Sequence, residues 1–131
     1  MYKTILVADD EAHILHVVSM KLQNAGYRVL TATDGQEALQ LCLADPPDLV
    51  ITDYQMPSMT GLELLRQLRL NSDTENIPAV MLTARGFDIP PDEIVAAGIT
   101  TVISKPFSPR NILAVVNELL GLSQAANTEA S

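Results

Sequence analysis

The sequence predicts an α/β fold, a parallel sheet of five strands with helices on both faces. Short apolar runs alternate with longer amphipathic ones along the chain, as repeated strand–helix units do. The short runs are rich in Val, Ile, Leu and Thr, and most lack polar alternation, which suits strands covered on both sides. The chain has 131 residues, one domain's worth, enough to bury roughly two thirds of its unfolded surface.

The elements follow in order. Strand one is Thr4–Ala8. Helix one runs from Glu11 to Ala25, with Leu15, Val18, Leu22 and Ala25 at helical spacing and Gly26 placed to stop it. Strand two is Arg28–Ala32. Helix two opens on Asp34-Gly-Gln-Glu37, an N-cap with Glu at the third helical position, and stops before Asp45-Pro46-Pro47-Asp48. Strand three is Asp48–Thr52. Helix three opens on Thr60-Gly-Leu-Glu63, which fits a capping box, and carries Leu62, Leu65 and Leu68. Strand four is Ala79–Leu82. Ile89-Pro90-Pro91 forces extended backbone before Pro91, so helix four starts no earlier and ends at Gly98, a short helix of about two turns. Strand five is Ile99–Ile103. Helix five opens on Ser108-Pro109, an N-cap followed by proline, and carries Ile112, Val115, Val116 and Leu119. The domain is expected over residues 1–121, with 122–131 a disordered polar tail or linker.

Composition narrows the function. Eight Lys and Arg against sixteen Asp and Glu give a net charge of −8, a poor match for nucleic acid or an anionic membrane. The one cysteine, Cys42, lies in an apolar helical pattern and reads as a buried small residue. No apolar stretch approaches the roughly 18 residues of a membrane span, and ILVA followed by acids is no signal peptide. A soluble cytoplasmic protein is expected, with no membrane and no direct nucleic-acid contact.

Ligands of open parallel sheets bind at the carboxyl ends of the strands. Asp9 and Asp10 follow strand one, Asp53 strand three, Thr83 strand four, and Ser104, Lys105 and Pro106 strand five. Clustered carboxylates call for a cation, and hard oxygen ligands suit Mg²⁺. A lone Asp-Asp pair is more often a cap or a solvated turn. Structural readings of the others exist too: a Lys–Asp ion pair, a Thr cap, an Asp turn. All of them together need several coincidences at successive strand ends. His13 and His16 read as surface residues of helix one, and Pro57 and Gly61 as turn and helix-entry residues.

These residues resemble the receiver domain of bacterial two-component response regulators. The likeness rests on Asp9-Asp10, on Asp53 in TDYQMPSMTG, on Thr83 in MLTARG and on Lys105-Pro106-Phe107, and spans Met1 to Gly121. It implies a flavodoxin-like three-layer α/β/α sandwich with strand order 2-1-3-4-5. Helices one and five lie on one face, and two, three and four on the other. It further implies that Asp53 accepts a phosphoryl group from a sensor histidine kinase or a histidine phosphotransfer protein. Asp10, Asp53 and the backbone carbonyl of Gln55 hold Mg²⁺, with Asp9 acting through water. Lys105 pairs with one phosphoryl oxygen, Thr83 swings to another, and the Lys105-Pro106 peptide is cis. The partner downstream is unknown, and a phosphorylation-dependent dimer fits the family. By this likeness the chain is a signalling phosphoacceptor, not an enzyme beyond its own phosphorylation and slow dephosphorylation.

The chain departs from the family in places. Val102 stands where many receivers carry Tyr or Phe, three residues before the Lys, and a β-branched side chain makes a poor two-state swing. The segment Phe87-Asp88-Ile89-Pro90-Pro91 shortens helix four, and Phe87 is expected to pack or to join a partner surface. Gln55 and Arg85 occupy positions that in the family tune dephosphorylation. Three rival readings fit the sequence less well. The first is a phosphorylation-independent interaction module. The second is a haloacid-type phosphohydrolase, which places DxD after strand one where this chain has DDE. The third is a flavin carrier, for which the phosphate loop after strand one is missing.

Overall fold

The computed structural model describes residues 2–84 and 89–121. The sheet is parallel, in the order β2-β1-β3-β4-β5. The strands are β1 (Thr4–Ala8), β2 (Arg28–Ala32), β3 (Leu49–Asp53), β4 (Ala79–Thr83) and β5 (Ile99–Ser104). Between and after them lie α1 (Ala12–Asn24), α2 (Gly35–Ala44), α3 (Gly61–Arg69), α4 (Pro91–Ala97) and α5 (Pro109–Val116). The chain beyond α5 continues as a wider π turn, Asn117–Gly121.

The inner strands β1, β3 and β4 are buried along their whole length, whereas β2 and β5 at the edges are partly exposed. The apolar runs without alternation are therefore the strands that both helix layers cover. Two cores result. One packs Leu6, Val50 and Met81 against Cys42 of α2, Leu64, Leu65 and Leu68 of α3 and Ala97 of α4. The other packs Ile5, Val7, Ile51 and Leu82 against Val18 and Leu22 of α1 and Ile112 and Val116 of α5. This is the expected division of helices between the faces. Cys42 is fully buried, and burial pushes its thiol up to about 12.

Caps set the helix starts as their residues dictate. Asp34 accepts from the Glu37 N–H at 2.8 Å, but the Glu37 carboxylate reaches back to the Thr33 N–H rather than to the cap residue. Thr60 and Glu63 form the full reciprocal box. Ser108 accepts from the Asn111 N–H ahead of Pro109. Helix α4 starts at Pro91 and ends at Gly98, whose φ of +69° is the left-handed geometry of a C-terminal glycine.

The boundaries differ from expectation at three strands. β3 starts at Leu49, because the Asp48 side chain instead accepts the Thr4 N–H at 2.7 Å. β3, β4 and β5 each run one residue further, to Asp53, Thr83 and Ser104. Asp53 and Thr83 are thus the last residues of their strands and inherit the strands' rigidity. Helix α1 begins at Ala12, with Glu11 as its N-cap.

Candidate functional site

Strand register builds the site. Ala8 of β1 pairs with Thr52 of β3, so the next residues, Asp9 and Asp53, stand side by side. The order β2-β1-β3 makes this the point where the chain's winding reverses, the crevice where open α/β sheets bind ligands. On the other side Thr83 pairs with Ser104, and the Lys105 N–H donates to the Thr83 carbonyl at 2.7 Å. That fixes the root of Lys105 at the same end of the sheet. The Lys105-Pro106 peptide is cis.

The loop after β3 is held close. The Gly61 N–H donates to the Tyr54 carbonyl at 2.8 Å. A Cβ on Gly61 would collide with the backbone oxygen of Asp53, so α3 approaches the site only because this residue is glycine. Pro57 is a turn residue as expected: the Met59 N–H donates to its carbonyl across Ser58, whose φ is +71°.

One oxygen from each of Asp9, Asp10 and Asp53 lies within 4.8 Å of the others. Asp9 is wholly buried and Asp53 nearly so, while Asp10 faces solvent. Lys105 Nζ lies 3.1 Å from Glu11, 3.3 Å from Asp53 and 3.4 Å from Asp9. Among the described residues it is the only basic side chain paired to this cluster. Asp9 Oδ1 accepts the Glu11 N–H at 2.8 Å, but its Oδ2, although ion-paired, has no partner in hydrogen-bond geometry. The Thr83 hydroxyl is buried and also without a partner.

Charge follows from this crowding. Burial, and then the Asp9 charge, raise Asp53 to about 6 against the pull of Lys105. Burial also raises Asp9, opposed by the Glu11 N–H and Lys105. Burial alone would lower Lys105, but the Glu11 hydrogen bond and the charges of Asp9 and Asp53 hold it above its ordinary value. A cleft short of positive charge, with a buried carboxylate oxygen that lacks a hydrogen-bond partner, is chemically fit for a divalent cation and for an incoming group that Lys105 can bind.

The expected residues thus converge: Asp9, Asp10, Asp53, Thr83 and Lys105 share one end of the sheet. Gln55 lines the same cleft, of about 410 Å³, together with Tyr54 and Ala84. His13 and His16 are exposed on α1. Val102 sits on edge strand β5, 38% exposed. Arg85, Phe87 and the tail 122–131 lie outside the described residues. Three lining residues had no role from sequence, Glu11, Tyr54 and Ala84. Glu11 touches Lys105 across 94 positions of chain, a separation that leaves no local signal.

Residues 5–117 match the response regulator receiver domain family. The chain belongs to that family. It is 37% identical over 98% of its length to the phosphate regulon transcriptional regulatory protein PhoB of Pseudomonas aeruginosa, covering 56% of that protein. It is likewise 37% identical over 96% of its length to the alkaline phosphatase synthesis transcriptional regulatory protein PhoP of Bacillus subtilis, covering 52%. This receiver therefore spans about half the length of these curated relatives. Among solved structures it resembles the chemotaxis response regulator CheY4 of Vibrio cholerae, with a TM-score of 0.85, 37% identity and coverage of 92% of this chain and all of that one. It is a signalling domain of the flavodoxin-like fold. No described helix is long and apolar enough to cross a membrane.

Proposed function

We propose that this receiver accepts a phosphoryl group on Asp53 in a Mg²⁺-dependent reaction and so switches its affinity for a partner. One observation carries the reading. Asp53 ends a buried strand with its carboxylate 3.3 Å from Lys105, in a cluster whose negative charge a single lysine does not balance.

The chemistry is phosphoryl transfer to a carboxylate. An Asp53 oxygen donates its electron pair to phosphorus as the P–N bond of a phosphohistidine breaks, and that pair returns to the imidazole. The donor is a sensor histidine kinase or a histidine phosphotransfer protein. The Lys105 ammonium moves onto a phosphoryl oxygen. The unpartnered Thr83 hydroxyl is the donor for a second. Asp10, Asp53 and the Gln55 carbonyl would hold Mg²⁺, with Asp9 acting through water. When bound, the ion offsets phosphoryl charge as a Lewis acid. Gln55, which lines the cleft, flanks the path of the water that later hydrolyses the acyl phosphate slowly.

The phosphorylated state shifts an existing equilibrium between conformations. Val102 has few rotamers, so transmission to the far face does not use an aromatic swing. The downstream partner is a protein, or a second copy of this chain in a phosphorylation-dependent dimer, and not nucleic acid directly. The cytoplasm, where such kinases deliver phosphate, is the proposed location.

Intact-mass spectrometry after incubation with acetyl phosphate and Mg²⁺ tests this. One labile phosphoryl adduct is expected, lost in Asp53→Asn and in EDTA. An adduct that survives Asp53→Asn would move the acceptor elsewhere. No adduct, in protein shown to bind Mg²⁺, would leave a phosphorylation-independent interaction module.

A further inference from the structure

Glu11 uses its side chain in a way its position does not call for. It is the N-cap of α1, yet the carboxylate makes no capping hydrogen bond. N-cap oxygens ordinarily accept from first-turn N–H groups. Here Oε1 accepts from Lys105 Nζ instead, at 3.1 Å. Of the three carboxylates around that ammonium, Glu11 is the nearest and the one in hydrogen-bond geometry. Asp9 and Asp53 are fixed by burial, but the Glu11 side chain is 59% exposed. It is the carboxylate of the three that can leave for water without moving backbone.

A phosphoryl group on Asp53 needs the same ammonium. We propose that Glu11 is a positioning residue that competes for Lys105: it holds the ammonium in the empty site and must release it when the phosphoryl group arrives, so its charge slows phosphorylation. The inference rests on the phosphoacceptor reading above. With acetyl phosphate the step balances simply. An Asp53 oxygen forms the new O–P bond, the P–O bond to the acetyl group breaks, and its electron pair leaves on acetate. The Lys105–Glu11 hydrogen bond is exchanged for one from Lys105 to a phosphoryl oxygen, and no proton changes hands. At the cleft mouth the carboxylate also repels an anionic donor before it docks.

The test is the rate of adduct formation by the full chain with acetyl phosphate and Mg²⁺. E11Q is expected to react roughly two- to fivefold faster at low salt, the scale of a partly exposed ion pair. The gain should contract toward parity at about 0.5 M NaCl, where exposed charges are screened. E11D, one methylene short of Lys105 but a better N-cap, should fall between parent and E11Q. A role confined to capping α1 predicts no salt-dependent rate gain. In unphosphorylated protein, the Lys105 side-chain amino resonance should move in E11Q. E11Q no faster than a parent that does form the adduct overturns the competition alone. A parent that forms none overturns the phosphoacceptor reading and the competition with it.

Discussion

Arg69 and Lys105 are half-buried cations at opposite ends of the sheet, and their surroundings differ in kind. Arg69, at the end of α3, spends its guanidinium on backbone. Nε donates to the Ala97 carbonyl at 2.9 Å, Nη2 to Gly98 at 3.0 Å, and Nη1 to Thr74 and Glu75 at 3.2 and 3.0 Å. It ties the last turn of α4 and the α3–β4 connection to α3, and it neutralises helix-end carbonyls. Lys105 instead faces three carboxylates, and around it a carboxylate oxygen and a hydroxyl lack hydrogen-bond partners. Around Arg69 the polar groups are satisfied; around Lys105 they are left short. Buried polar groups left short are costly, and they mark the end where a ligand completes the set.

The largest expected effect breaks the satisfied end. Arg69→Met removes all four hydrogen bonds and should cost about 2–4 kcal/mol in urea unfolding, with Mg²⁺ affinity of the folded protein unchanged. A loss within experimental error would mean that water replaces the guanidinium without penalty, and the contrast between the ends would fail.

At the unsatisfied end the same logic predicts gains. Mg²⁺ at about 100 times its dissociation constant should stabilise the parent by roughly 2.7 kcal/mol, and much less in Asp53→Asn, which lacks one of the proposed ligands. Equal stabilisation of both proteins would place the ion elsewhere.

Removing charge should also help the empty protein. Asp53 holds its proton up to about 6 when folded but releases it near 3.8 when unfolded. Between those values the folded state binds more protons, so stability falls as pH rises through the window. In EDTA, Asp53→Asn should therefore be more stable than the parent by about 1–3 kcal/mol above pH 6. The two should converge below about pH 4, where the parent carboxyl is protonated in both states. A difference that grows toward acid would reverse the assigned sign.

What could be read from sequence follows the range of each interaction. The Thr60–Glu63 box and the Ser108 cap operate within three residues, and the sequence exposes them. Asp53, Thr83 and Lys105 could be placed at one end because strand direction alone brings strand ends together. That Asp9 is buried while its neighbour Asp10 is exposed depends on which way each points beyond β1, and adjacent letters carry no sign of it. Arg69 left no trace either, since its acceptors are carbonyls that every residue possesses. Glu11 was visible as an acid near a helix start, but its partner lies at the far end of the chain.

The smallest expected effect asks whether the shortage extends to neutral groups. Thr83 is 1% exposed and its hydroxyl is unpartnered. Thr83→Val keeps the shape and removes the orphaned group. An unpaired buried hydroxyl costs stability, while replacing it with a methyl restores apolar contact, so a gain of up to about 1 kcal/mol is expected. The same variant should weaken the response to phosphorylation, read as a smaller set of backbone amide shifts after acetyl phosphate treatment, because the donor proposed for a phosphoryl oxygen is gone. A stable variant with a full response would make Thr83 a filler of space. A variant that loses stability would mean that the hydroxyl is satisfied in the resting protein, and the shortage at this end would then belong to the carboxylates alone.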